Sequence, residues 1–338
     1  MGGNTDLLIK WIITMKWIIS HQSALEFWRK TPAEDSLAGK KSRAMKPQAK
    51  PLNAEELHAE SFRGLAMPIH VLVGSGNARK VNRTLHCHVS SGEFPNGSFV
   101  RMDSGLIVSS PELCFLQMAS ELSLTDLVAL GCELCGNYRL DGGGAKGKGF
   151  REDLPLTSVG SLSSFTTKAT GLKGCKNARK ALRFIADGSA SPMETILTIL
   201  LVFPYRLGGF GFPKPLLNYR IEAPASAKNP TSKSKHYYCD LYWPDKKVDV
   251  EYDSDAYHTG PDRIAQDAIR RNALSSMDII VVTVSRKQVV DALEMRDLAE
   301  ILSKHLGWRL NYLIKEFADR QKELLDQLLP ELPLSSYL

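Results

Sequence analysis

The sequence predicts a mixed α and β protein (α/β, in the α+β sense) built in two halves, and three observations carry that reading. The 338 residues exceed what one small hydrophobic core requires. Short stretches of period two alternate with stretches of helical period in both halves. A Gly-rich and then Ser/Thr-rich run, "DGGGAKGKG" to "SVGSLSSFTTKATG" over 141 to 171, separates them. We therefore expect an N-terminal α+β domain over 1–140, a linker region over 141–180, and a second domain over 181–338 that ends in helices.

Taken in order, "KWIIS" reads as a strand and "SALEFWRK" as a helix. The basic stretch 38 to 51, "AGKKSRAMKPQAKP", lacks acids and large aliphatics beyond Met45 and reads as a loop. "MPIHVLVGSG" is a strand that runs into glycines, and "SFVRMDSGLIVSS" is a hairpin. "SPELCFLQMASEL" opens a helix well, because Ser110 can cap it, Pro111 suits the first helical position and Glu112 favours the positive end of the dipole. In the second half, "KGCKNARKALRFIADGSA" is a basic amphipathic helix. "SPMETILTILLVFP" is a helix with Ser191 and Glu194 in capping-box spacing. "RLGGFGFPKPLLNYRI" is a turn-rich connector, and "APASAKNPTSKSK" is a polar, basic loop. Two strands follow, "HYYCDLYWP" and "KVDVEYDS", then a helix over 261 to 276, the strand "DIIVVTVS", and a helical tail over 287 to 329.

Bulk composition excludes several classes. With 43% hydrophobic and 24% charged residues, the chain is globular rather than disordered. The N-terminal "LLIKWIITMKWIIS" is interrupted by Lys10 and Lys16 and falls short of the roughly 20 apolar residues of a spanning helix. It also lacks the layout of a secretory leader, so a cytoplasmic protein without a membrane partner is expected. "IKWIIT" and "MKWIIS" form a tandem, read either as an extension before Met15 or as one strand running through. The net charge of +6 is compatible with a nucleic-acid partner without requiring one.

Six cysteines lie scattered along the chain, which argues against a disulfide scaffold. Cys132 and Cys135 form a lone CxxC, and a zinc site there would need two more ligands, for which "HCH" (His86, Cys87, His88) is the nearby source. Buried free thiols are the preferred reading. Gly142, Gly147 and Lys148 fit G-x4-G-K, but Gly149 stands where a phosphate-binding loop needs Ser or Thr, so a linker is preferred. "GSGNAR" fails the dinucleotide pattern because Arg79 takes the third glycine position.

The chemistry concentrates in "KVDVEYDSDAYH", residues 247 to 258. Period two puts Asp249, Glu251 and Asp253 on one face of the strand and Val248, Val250 and Tyr252 on the other. If "WPDKK" makes a two- or four-residue hairpin loop, Asp240 lies directly across from Glu251; a three-residue loop breaks that register. Opposed carboxylates, with Cβ atoms about 4.5–5.5 Å apart, call for a cation, and a hard ion such as Mg²⁺ or Mn²⁺ fits one or two carboxylates with its waters. Asp249, across from Tyr242 and nearer the turn, and Asp255, beyond the strand, read as solvated charge. A wholly solvated acidic face is the alternative for this strand.

"CDLYWP" and "VEYDSDAYH", with the helix carrying "DAIRRNAL" and the strand "IIVVTVS", resemble the PD-(D/E)XK nuclease superfamily. The nearest branch is the very-short-patch-repair-endonuclease-like one, with its D…ExD…H pattern. The resemblance covers about residues 185 to 305 and implies a restriction-endonuclease-like mixed sheet flanked by helices. It makes Asp240 and Glu251 the metal ligands, Asp253 the second acid of ExD, His258 the histidine that follows, and Glu194 the accessory acid on the preceding helix. The superfamily's lysine would stand at position 253, where this chain has Asp. His258 is then the candidate general base, with a reference pKa of about 6.5. The implied activity is Mg²⁺- or Mn²⁺-dependent hydrolysis of DNA, with Lys233, Lys235 and Arg270 as phosphate contacts and Asp267 paired with Arg271 at i,i+4. "ISHQSALEFWR", "HVLVGSGNARK" and "SPELCFLQMA" resemble abortive-infection, type IV antitoxin-like regulators over about residues 15 to 140, which implies a specificity or interaction module. Two rivals follow from these features: a nuclease-fold DNA-binding regulator with an altered active site, and a toxin–antitoxin interaction protein.

Overall fold

The computed structural model describes residues 17–32, 39–43, 46–47, 64–103, 106–141, 149–222, 236–253, 261–311 and 315–329, with the backbone alone over 261–267. It is mixed α and β, with helices and three sheets of six, four and two strands. The chain divides into two compact units, Met1–Leu127 with Asp153–Arg183, and Val128–Glu152 with Phe184–Leu338.

In the first unit, β1 (Ile18–Ile19) feeds α1 (His21–Lys30), and β2 is Lys40–Lys41. There follow β3 (Ile69–Val73), β4 (Leu85–Val89), β5 (Phe99–Arg101) and β6 (Ile107–Ser109), in the sheet order β2-β5-β6-β1-β3-β4. The hairpin read from "SFVRMDSGLIVSS" is the antiparallel β5–β6 pair. Helix α2 (Pro111–Met118) starts as its sequence predicts, with Leu113 N–H donating to Ser110 Oγ at 3.2 Å and Pro111 in the first turn. Trp28 of α1 is 1% exposed and donates from Nε1 to Ser109 O at 2.8 Å, which fixes the helix on the sheet. Helix α3 (Leu124–Leu134) carries the chain onward. The first unit also holds α4 (Val159–Lys168) and α5 (Cys175–Ala181).

Several expectations need correction. Lys40 and Lys41 are a strand, paired with Arg101 and Val100, because an edge strand needs backbone pairing more than apolar side chains. The supposed linker over 141–180 carries secondary structure. Its Ser158 accepts from Ser161 N–H to start α4, and Leu162, Phe165 and Thr166 bury one face. The phosphate-loop-like residues 142–148 lie outside the described residues. Helix α5 spans 7 residues, shorter than its amphipathic sequence suggested.

In the second unit, β7 (Tyr138–Leu140) pairs with β8 (Phe150–Glu152). Helix α6 (Pro192–Val202) is buried along its whole length, so its apolar run belongs to a core rather than to one stripe. Strand β9 (Leu216–Glu222) arises from the stretch expected as a connector, because its pairing comes from β10 rather than from an apolar alternation of its own. The four-stranded sheet continues through β10 (His236–Trp243), β11 (Val248–Asp253) and β12 (Ile280–Ser285), in the order β12-β11-β10-β9. Helix α7 (Pro261–Ser275) connects β11 to its parallel neighbour β12. The tail is divided into α8 (Arg286–Val290), α9 (Ala292–Leu306) and α10 (Phe317–Leu328), with Gly307 (φ 63) ending α9. Leu298, Leu302 and Leu306 face inward as expected, while Leu293 is 69% exposed. No described helix is long and apolar enough to cross a membrane.

Candidate functional site

The β10–β11 hairpin closes with residues 244–247 as a four-residue loop, and Lys247 takes a left-handed φ of 51. Leu241 pairs with Val250, Tyr242 with Asp249 and Trp243 with Val248. That is the register expected from the sequence, and continuing it sets Asp240 across from Glu251. On the other side of β10 the ladder is interrupted at the Asp240–Asn218 position, where Asn218 has φ 47. Tyr219 pairs with Cys239 yet stacks on Tyr242, with ring centroids 5.4 Å apart and planes at 19°. Simple alternation would send those rings to opposite faces, so the alternation breaks at the position shared by Asp240 and the left-handed Asn218, with the register kept on either side.

This irregularity sets the surroundings of each acid. Asp240 Oδ2 accepts from Tyr252 N–H at 2.9 Å. Burial pushes its carboxyl up to about 6, the Tyr252 N–H holds it down in part, and the charge of Glu251 adds to the rise. Glu194, in the first turn of α6, accepts from Ala190 N–H at 2.8 Å, Asn218 Nδ2 at 2.8 Å and Ser191 Oγ at 3.0 Å. Ser191 Oγ accepts in turn from Glu194 N–H at 3.2 Å. Burial, and then the charge of Asp240, push the Glu194 carboxyl up to about 7.

Asp249 corrects the sequence reading most sharply. Expected as solvated charge, it is 0% exposed, because β12 and β10 flank its strand on both sides. No hydrogen bond of standard geometry reaches either of its oxygens. Burial first, and then the neighbouring Glu251 carboxylate, raise its carboxyl far above the usual range. The Cys239 thiol, raised by burial and then by Asp249, directs its proton at the same carboxylate.

Glu251 is held on one oxygen only. Arg270 Nη1 of α7 donates to its Oε2 at 2.5 Å, and Arg270 Nη2 donates to Tyr238 O. Glu251 Oε1 is buried without a hydrogen-bond partner. Arg270, expected to contact phosphate, is thus occupied with an acid of the same site. Asp253 ends β11 as an exposed residue opposite Ser285. His258, Lys233, Lys235 and Asp255 lie outside the described residues, as does the side chain of Asp267.

The structure therefore brings together Glu194, Asp240, Asp249 and Glu251, with Arg270 as their cation. Both oxygens of Asp249 and one of Glu251 lack a hydrogen bond of standard geometry, the Cys239 thiol and the facing carboxyl being the groups nearest to serve them, and a poorly satisfied buried acceptor is costly. Protons or a cation can supply the missing partner. Among the described residues no three of these acids bring ligand oxygens within 4.8 Å of one another, so at most two could share an ion that keeps several waters. Sequence reasoning missed Asn218, which carries no motif signal. It also set Asp249 aside, although its position two residues before Glu251 on the same strand was legible.

A second cluster lies in the first unit, where His86 and His88, named from the sequence only as partners for Cys132 and Cys135, meet His70 instead. Ligand atoms of His70, His86 and His88 lie within 4.8 Å of one another, as do those of His21, His88 and Glu121. Cys132 and Cys135 belong to the second unit, and all six cysteines are free and buried, with the Cys132 thiol pushed up to about 11 by burial. They behave as the preferred free thiols. No family model, curated protein or solved structure matches this chain.

Proposed function

We propose that the protein is a metal-dependent endonuclease that hydrolyses DNA phosphodiesters, with a PD-(D/E)XK-like domain in its second unit and Mg²⁺ or Mn²⁺ as cofactor. One observation supports this reading above the rest: Asp240, Asp249 and Glu251 lie close together on one strand pair, with Asp249 0% exposed. The mixed order β12-β11-β10-β9, with α7 linking two parallel strands, agrees with the expected domain.

Asp240 and Glu251 would hold the ion, with Asp249 as a further charge beside them, and the ion would supply Lewis-acid polarisation of a phosphoryl oxygen and a more acidic bound water. Glu194 accepts three hydrogen bonds and so positions Asn218 beside Asp240. Arg270 neutralises Glu251 at 2.5 Å, and its guanidinium would turn to a phosphate oxygen were Glu251 to ligate a metal. His258 remains the proposed base, with Lys233 and Lys235 as phosphate contacts.

A second reading rests on the same ion pair. Arg270 already balances Glu251 at 2.5 Å, and Asp253 replaces the superfamily's lysine, as in a DNA-binding regulator that has lost turnover. Cleavage assays on single- and double-stranded DNA and RNA with Mg²⁺ or Mn²⁺ separate the two. Wild type should cut DNA only with the metal, and Glu251→Ala should lose more than the ~10–100-fold typical of an outer-sphere partner. Metal-independent DNA binding without cleavage of any substrate would establish the regulator instead.

A further inference from the structure

The sheet of the first unit sets three imidazoles on one face. Strands β3 and β4 run parallel, with His70 directly beside His86 and Leu72 beside His88. Alternation then brings His86 and His88 to the same side as His70. His70 Nδ1 and His88 Nε2 are 2.9 Å apart, and the ring nitrogens of His70, His86 and His88 converge within 4.8 Å. His86 stacks on His88 at 4.6 Å and 4°. Stacking by itself is ordinary packing, but it does not require the nitrogens to converge.

Two further features favour a ligand there. His88 presents its other nitrogen, Nδ1, to Glu121 Oε1 at 3.9 Å, the layout in which a carboxylate orients a metal-bound imidazole. His86 and His88 also line a cavity of about 330 Å³ that reaches Arg79 and Lys173, with room for a fourth, non-protein ligand.

We propose that His70, His86 and His88 bind one borderline divalent transition-metal ion, best matched by Zn²⁺, with Glu121 as the outer-sphere carboxylate and an open fourth position facing the cavity. Imidazole nitrogens suit zinc-like ions and not Mg²⁺, which prefers oxygen. Tetrahedral zinc with Zn–N of about 2.0–2.1 Å sets its ligand nitrogens roughly 3.4 Å apart, so modest side-chain rotation completes the geometry. The site is separate from the acids of the second unit.

The test uses the full chain, stripped with a chelator and titrated with Zn²⁺ against a chromophoric competitor, with Co²⁺ absorption as the coordination signature. Wild type should bind one Zn²⁺ per chain and give visible Co²⁺ bands. Glu121→Gln should lower the affinity about 10–100-fold, and His86→Ala should lower it further and abolish the bands. The double variant Asp249→Asn/Glu251→Gln should bind Zn²⁺ as wild type does. Absence of stoichiometric binding, retention of it in His86→Ala, or its loss in the acid double variant would each overturn the proposal. Glu121→Gln, at a partly exposed position, decides the matter if His86→Ala fails to fold.

Discussion

Glu194→Gln isolates the electrostatic cost of the buried acids. The Glu194 carboxyl is 7% exposed and moves from 4.5 in its ordinary state to about 7 in the fold. At about 1.4 kcal/mol per pH unit, the ionised side chain costs the folded protein about 3 kcal/mol above pH 7. Its place in the first turn of α6 is already favourable to negative charge, by about 0.5 kcal/mol, so burial outweighs the dipole. The sign follows from proton binding. The native state holds the proton more tightly than the unfolded chain, so the penalty is absent below about pH 4.5, grows as pH rises, and is complete above about pH 7. Gln keeps an acceptor for Ala190 N–H and Asn218 Nδ2, and its amide can donate to Ser191 Oγ. Urea unfolding from pH 4.5 to 8.5 should therefore show the two proteins converging at the acid end. At pH 8 the variant should be more stable by about 2–3 kcal/mol. Parallel profiles would refute a raised Glu194, and with it the coupling to Asp240. Mg²⁺ should stabilise the wild type most at the alkaline end, where Glu194 and Asp240 carry the most charge.

Two other substitutions probe how the second unit is held. Arg270→Gln leaves Glu251 facing Asp240 and Asp249 without its cation, and with Glu251 at 15% side-chain exposure the loss should be about 2–3 kcal/mol. An unchanged urea midpoint would mean that the pair contributes nothing. Gly208→Ala meets a left-handed φ of 85 and places a Cβ 2.3 Å from the Arg320 carbonyl oxygen. Thermal melting should register at least about 3 kcal/mol of destabilisation, and a wild-type melting temperature would contradict this packing of α10 beside Gly208.

The sequence by itself determined the local pieces. Ser110 and Ser191 cap α2 and α6 because caps are short-range hydrogen bonds between neighbours. The loop over 244–247 and the period of β11 together set Asp240 opposite Glu251, since a hairpin register needs only two strands and their turn. The tertiary structure decided everything that depends on a third partner. Strand β9 became visible only as the neighbour of β10, and the left-handed Asn218 broke the alternation that the sequence implied for Asp240. Asp249 is polar by identity and buried by position, because β12 returns through α7 to cover its strand. Arg270 of α7 meets Glu251 across 19 residues of chain. The three imidazoles of the first unit likewise converge because β3 and β4 pair in parallel, a long-range contact that the spacing of His70, His86 and His88 does not encode.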